Sequence, residues 1–208
     1  MPLVVLSGPS TAGKTKISNC LIEQFPEKYI KIRSVTTRKP RKEEQYSSHY
    51  RFYSKAQFEN AKSDFWFWKK SPYGFYGILK SDFMDGMAEE KIAILDIDVD
   101  CYFFLKKEYQ DVISCFILPP DLSTLKLRIQ NRGKDRGIES ENDYLTRFNF
   151  SIEAIKNCGS YNFLLVNQND EKTAIEIDQI VNVWNLYHNK YKILNDFYQM
   201  LYPLENTL

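Results

Sequence analysis

Eight residues near the start of the chain, Gly8-Pro9-Ser10-Thr11-Ala12-Gly13-Lys14-Thr15, match the pattern G-x-x-x-x-G-K-[ST], and their flanks leave little freedom in the fold. The preceding run Leu3-Val4-Val5-Leu6 reads as a buried strand. The following run, from Lys16 to Phe25, sets Ile17, Leu21, Ile22 and Phe25 on one helical face. A glycine-bearing turn between strand and helix lets backbone N–H groups approach phosphate oxygens, and the helix N-terminus adds a favourable dipole. Lys14 is placed to reach the β- and γ-phosphates of a nucleoside triphosphate, and the Thr15 hydroxyl to bind Mg²⁺.

At 208 residues the chain forms one domain or a domain with mobile lobes, and it buries enough surface to need no staples. Its formal charge of +1 argues against a general nucleic-acid or membrane-surface role. Charge is local instead, in one basic run holding Arg33, Arg38, Lys39, Arg41 and Lys42 and another holding Arg128, Arg132, Lys134 and Arg136. Cys20, Cys101, Cys115 and Cys158 are widely spaced and form no Cys-x-x-Cys pair, and the only histidines are His49 and His188. Reduced thiols, no zinc site and a cytoplasmic location are expected. A signal peptide and a membrane span are not expected from the N-terminal pattern and the lengths of the apolar runs.

Strand-like and helix-like segments alternate. Residues 30–35 read as a strand, and Ser54-Lys55-Ala56-Gln57 as a capping box opening a short helix. Phe65-Trp66-Phe67-Trp68 is β-prone and Tyr73-Gly74 suggests a turn. Helices are expected over 81–90, 121–131, 143–157 and 171–188, and strands over 91–97, 112–118 and 161–166. Asp121 or Ser123 is placed to cap the second of those helices. The alternation implies an α/β fold with a mostly parallel sheet flanked by helices and a site at the carboxyl ends of the strands.

The order of motifs resembles the guanylate kinase family over about residues 3 to 180. The markers are Ser7-Gly8-Pro9-Ser10, Ser34-Val35-Thr36-Thr37-Arg38-Lys39-Pro40-Arg41, Tyr50, Phe52, Tyr76-Gly77 and Ile94-Leu95-Asp96-Ile97-Asp98. They continue with Leu118-Pro119-Pro120, the arginine-rich stretch 128–147 and Val166-Asn167. The resemblance implies a P-loop nucleoside monophosphate kinase that moves the γ-phosphoryl group of ATP, with Mg²⁺, to a nucleoside monophosphate. It implies a core of 1–33, 79–130 and 148–180, an acceptor-binding lobe of 34–78, a lid of 131–147 and an extension of 181–208. It places Arg128 and Asn167 on the ATP side with Gly8 through Thr15. It gives the acceptor Ser34, Arg38, Arg41, Tyr50, Tyr76, Asp96 and Asp98, and the metal Thr15 and Asp96. Lys14, Arg38, Arg132, Arg136 and Arg147 become the candidate catalytic groups. Arginine suits both anions because its planar fork binds phosphate oxygens in pairs. The lid holds a few more residues than the family pattern, and either Arg132-Gly133 or Arg136-Gly137 fits its Arg-Gly position, with Arg132 slightly preferred. The acids Asp96 and Asp98 also read as strand-end caps.

The base pocket departs from the family. A glutamate there accepts two N–H groups of guanine, and counting back from Tyr76-Gly77 its position is Phe67. A hydroxyl residue after Tyr-Gly is here Ile78, while Ser34 remains. An unpartnered guanine donor costs about 1–3 kcal/mol, so weak or altered use of GMP is expected. The same departures leave open a kinase of the same fold for another phosphorylated acceptor, or a non-catalytic interaction module. His49 reads as a pocket-rim residue, because an anionic acceptor oxygen needs no general base. Beyond residue 180, Val181, Trp184, Tyr187, Tyr191, Leu194, Phe197 and Leu201 recur at helical spacing. An extension of roughly two helices is expected, packed on the core or forming a homodimer surface on an otherwise monomeric enzyme. Nucleotides are the only partners expected, with neither nucleic acid nor membrane.

Overall fold

The structure, a computed structural model, describes residues 3–40, 50–134 and 141–201, and their side chains apart from Lys134, Asn189 and 191–201. The strand predicted from Leu3 to Leu6 is β1 (Leu3–Ser7), buried along its whole length. It lies at the centre of a five-stranded parallel sheet with β2 (Tyr29–Lys31), β7 (Ile92–Asp96), β8 (Val112–Leu118) and β9 (Phe163–Val166), in the order β2-β7-β1-β8-β9. Burial on both faces explains why the central strands β1, β7 and β8 read as continuous apolar runs, whereas the edge strand β9 leaves Leu164 and Val166 exposed.

Alternation along β1 divides the core into two layers. Leu3 and Val5 face Phe83, Tyr102, Leu105 and Tyr161 on one side. Val4 and Leu6 face Ile17, Leu21, Ala174, Ile177 and Val181 on the other. The first layer is covered by α3 (Lys80–Ala88) and α4 (Val99–Glu108), together with part of α6 (Glu141–Lys156). The second is covered by α1 (Lys14–Gln24) and α7 (Asp170–Leu201). Asp178 of α7 accepts hydrogen bonds from the Tyr29 hydroxyl at 2.7 Å and Lys28 Nζ at 2.5 Å, fixing that helix to β2. Burial works against the Asp178 charge, but these bonds outweigh it and hold its pKa below the ordinary carboxylate value, while the Tyr29 hydroxyl is pushed up by burial and by Asp178.

A second, four-stranded sheet stands apart from the first, in the order β4-β3-β6-β5: β3 (Ser34–Thr36), β4 (Tyr50–Phe52), β5 (Phe65–Ser71) and β6 (Gly74–Leu79). The run expected as one strand over 30–35 is therefore two, with β2 in the large sheet and β3 in the small one. Ser54 caps α2 (Lys55–Asn60) with the complete capping box expected from the sequence. Phe58 of α2 stacks on Phe65 and Phe75 against one face of this sheet. Behind it lies Asp82 of α3, whose carboxylate is 2% exposed and accepts both Arg51 Nε at 3.0 Å and Arg51 Nη2 at 2.9 Å. Arg33 Nη2 joins it at 2.8 Å.

A further expectation is corrected. The C-terminal stretch is one helix, α7, continuous to Leu201, in place of two helices. Val181 is fully buried and Trp184 packs edge-on against Phe163, whereas Tyr187 is exposed; the side chains of Tyr191, Leu194, Phe197 and Leu201 lie outside the described ones. Helix α4, its N-cap supplied by Asp98, lies in a stretch to which no element was assigned from the sequence. Of the lid interval 131–147, residues 131–134 fall on the end of α5 (Leu122–Lys134) and 141–147 on the start of α6, while 135–140 lie outside the described residues. All four cysteines are free thiols, and no helix among the described residues is long and apolar enough to cross a membrane.

Asp82 is buried but Arg33 and Arg51 are partly exposed, so removing the acid leaves cations that water still reaches. Asp82→Ala is therefore expected to destabilise the protein by about 1–2 kcal/mol in urea unfolding, with Asp82→Asn intermediate.

Candidate active site

The loop between β1 and α1 is set by backbone geometry. Gly8 has φ +143° and a Cβ there would sit 2.3 Å from the Ile117 carbonyl oxygen. Gly13 has φ +101° and a Cβ would sit 2.2 Å from Asn167 Nδ2. Thr11 adopts the left-handed region at φ 70°, the one non-glycine residue to do so among those described. Pro9, Ser10 and Ala12 complete the turn, with the Ala12 N–H donating to Pro9 O at 3.3 Å. Lys14 Nζ donates to Gly8 O at 2.8 Å and to Pro9 O at 3.0 Å, so its ammonium lies over the loop mouth.

Three neighbouring strands deliver side chains to this mouth. Thr15 Oγ1 donates to Asp96 Oδ2 at 2.6 Å, joining α1 to the end of β7. Lys31 at the end of β2 lies 3.9 Å from the same carboxylate, with both side chains nearly buried, and donates to Ser18 Oγ at 2.7 Å. Beyond β9, Asn167 Nδ2 donates to Ala12 O at 2.8 Å and to Asp170 Oδ1 at 2.7 Å. A hydroxyl and a carboxylate in contact form a hard-oxygen donor pair that fits Mg²⁺, which binds through few protein ligands.

The arginines come from α5 and α6. Arg128 Nη1 donates to Thr11 O at 3.4 Å and Arg132 Nη1 to Ser10 Oγ at 3.2 Å, so residues one helical turn apart present both guanidinium groups to the loop. Arg136 lies outside the described residues. Arg147 of α6 is 4% exposed, and its Cζ lies 4.1 Å from the centre of the Tyr73 ring. Its Nε and Nη2 make no hydrogen bond. A buried cation with open donors is a site for an anion.

The acceptor candidates gather on one face of the small sheet. Ser34 is paired with Tyr50, and Thr36 with both Phe52 and Tyr76. Tyr76 is paired in turn with Lys69, and Ile78 with Phe67. Alternation puts Ser34, Tyr50, Tyr76, Phe67 and Lys69 on a common side, a β-bulge between Phe65 and Phe67 correcting the phase. Arg38 stands over the Tyr50 and Phe52 rings at 5.1 and 5.5 Å. Arg41 and His49 lie outside the described residues. Phe67 packs on Phe104 of α4 at 5.2 Å, and Ile78, only 2% exposed, belongs to the core and floors this face without lining it. Asp98 both caps α4 and pairs with Lys69 at 2.6 Å, so the capping alternative describes one of its two roles. In the Phe65-Trp66-Phe67-Trp68 cluster, Phe65 is buried and Trp66 stacks on Phe83, as core residues do.

Lys31, Lys69 and Tyr73 were not singled out for chemistry by sequence reasoning. Lys31 is a lone lysine in its strand, Lys69 stands in a Lys69-Lys70 pair, and Tyr73 reads only as part of a turn. The signal that distinguishes them is spatial, namely a carboxylate or guanidinium from a distant element.

A phosphate loop with its lysine, a hydroxyl–carboxylate pair beside it and a separate arginine-bearing sheet define a P-loop kinase. The family model described as guanylate kinase matches residues 1–183. The guanylate kinase of Clostridium perfringens is 35% identical over 181 residues, covering 86% of this chain and 82% of its own. That of Carboxydothermus hydrogenoformans is 33% identical over 186 residues, covering 88% and 89%. The crystal structure of guanylate kinase from Anaplasma phagocytophilum superposes with a TM-score of 0.66 at 25% identity, over 88% of this chain and 85% of that one. The chain belongs to the guanylate kinase family and is an ATP-dependent nucleoside monophosphate kinase.

Because a side chain at Gly13 would meet Asn167 and demand a disfavoured φ, Gly13→Ala is expected to weaken binding of ATP by at least about tenfold in calorimetric titration.

Proposed function

We propose that this kinase phosphorylates a nucleoside monophosphate laid across the small sheet, GMP by family, with weaker discrimination among bases than a glutamate at position 67 gives. The observation that carries this reading is the pairing of Phe67 over Ile78 at the base end of the face, with Phe67 against Phe104. An aromatic ring offers stacking surface, which every base satisfies, and no acceptor for the guanine N–H groups.

The phosphate end follows from charge. Arg38, held over Tyr50 and Phe52, grips the acceptor phosphate together with Arg41 and Tyr50, while Ser34, paired with Tyr50, keeps its hydroxyl as a reader of the base. On the donor side the loop N–H groups, Lys14 and Arg128 hold the triphosphate, and Asn167 braces the loop. Thr15 and Asp96 would hold Mg²⁺, which supplies charge neutralisation across the β- and γ-phosphates. The transferring group is then positioned in line with an acceptor oxygen that is already anionic. Arg147 and Arg132 are the groups of this chain that meet its equatorial charge, Arg147 with two donor nitrogens open.

The test is ADP formation from ATP and Mg²⁺ with GMP, dGMP, AMP, CMP, UMP and dTMP, using Lys14→Ala as the blank. Lys14-dependent turnover is expected, with kcat/KM for GMP exceeding the next base by well under the roughly 10⁴-fold that a hydrogen-bonding site reaches. Discrimination at or above that level would overturn the reading of Phe67. Turnover with a different acceptor alone would move the substrate while keeping the chemistry. Arg147→Met is expected to lower kcat by about 10²- to 10³-fold with little change in the KM for ATP.

A further inference from the structure

Lys69 is the one cation on the described acceptor face of β5, and it is held by two carboxylates from a different lobe. Its Nζ lies 2.6 Å from Asp98 Oδ2 and 2.5 Å from Asp100 Oδ2. Burial works against its charge, yet the two acids more than offset this and keep its pKa above the ordinary lysine value. Across the sheet it is paired with Tyr76, and two residues along β5 is Phe67. The group therefore sits beside the ring that takes the base-reading position, at the opposite edge of the face from Tyr50 and Arg38.

Donor and acceptor capacities decide what this pair can recognise. An ammonium has three N–H donors, and the two carboxylates occupy two. In Asp98, Oδ1 accepts from the Cys101 N–H at 3.1 Å and Oδ2 from Lys69, which leaves lone pairs open. Its side chain is 48% exposed and that of Lys69 is 26% exposed, so both are open to solvent and to a bound ligand. One strong donor therefore lies next to one strong acceptor. A carbonyl adjacent to a ring N–H presents the complementary order, and guanine and hypoxanthine both carry it as O6 and N1–H. Adenine presents an amino group and an unprotonated ring nitrogen instead, the reverse of both.

We propose that Lys69 and Asp98 together read the lactam edge of the acceptor base, Lys69 donating to the carbonyl and Asp98 accepting the neighbouring N–H. This deepens the proposed function and rests on the acceptor lying across the small sheet. It differs from recognition by a single carboxylate in one measurable way. The exocyclic amino group of guanine takes no part, so hypoxanthine is read as well as guanine.

The experiment is steady-state kinetics of the full chain with GMP, IMP and AMP, for the unaltered enzyme and for Lys69→Met and Lys69→Arg. GMP and IMP are expected to agree within about tenfold in kcat/KM, with AMP about 10- to 100-fold lower. Lys69→Met is expected to lower kcat/KM for GMP and IMP by about 10- to 100-fold, chiefly through KM, and to leave AMP nearly unchanged. Lys69→Arg restores a donor and should recover part of the loss. A merely structural lysine would lower all three acceptors alike, and that result overturns the proposal, as does a GMP preference over IMP above about 100-fold. Absence of Lys14-dependent turnover with every acceptor would remove the proposed function and this proposal together. Turnover with base ratios untouched by Lys69→Met would remove this proposal alone.

Discussion

The position of β1 between β7 and β8 is the constraint from which the rest of the site follows. Parallel pairing in register brings Leu6 beside Asp96 and Cys115, so β1 and β7 end within one residue of each other while β8 runs on to Leu118. The loop after β1 can then reach the acid after β7 and the asparagine after β9 without any long connection. Thr15 and Asp96 are 81 residues apart in the chain and 2.6 Å apart in space because the two strands share a ladder. The glycines serve the same end, since the loop turns back so closely on β8 that Gly8 has no room for a side chain beside Ile117.

Two substrates of like charge must be brought together, and the chain separates the tasks between two sheets. The large sheet is parallel and its central strands are buried on both faces, so it offers chemistry at its carboxyl edge. The small sheet is mostly antiparallel, with one face packed on Phe58 and the other turned toward the cleft. Side-chain alternation alone then distributes chemistry from Tyr50 and Arg38 at one side to Phe67 and Lys69 at the other. Asp82 binds the two sheets' helices and strands together through Arg33 and Arg51, behind the working face.

Much of this was legible before any coordinates. The strand–loop–helix unit, the capping box at Ser54, the strand 112–118 and the parallel class follow from local patterns that tertiary packing reinforces. What escaped was decided by distant partners. Helix α4 carries Tyr102, Phe103 and Phe104 in succession, so its apolar periodicity is blurred, and only packing on Trp66 and Phe67 shows which ring faces where. The break between β2 and β3 has no glycine or proline to announce it; the chain simply leaves one sheet for the other. Lys69 looks like a solvated strand lysine until the Asp98 cap of a helix from the other lobe is set beside it.

The contact of Asn167 with the loop carries a consequence of its own. Asn167 Nδ2 holds both Ala12 O and Asp170 Oδ1, while its Oδ1 accepts from Thr173 Oγ1 of α7. One amide thus rivets the phosphate loop to the start of the longest helix, itself anchored to β2 through Asp178. Thermodynamic linkage makes the two ends reciprocal: free energy gained by ordering the loop on a triphosphate is shared with the seating of α7, and disturbance of α7 is felt at the loop. The C-terminal helix is in this sense a thermodynamic extension of the nucleotide site, although no residue of it beyond the first turn approaches the loop among the contacts described.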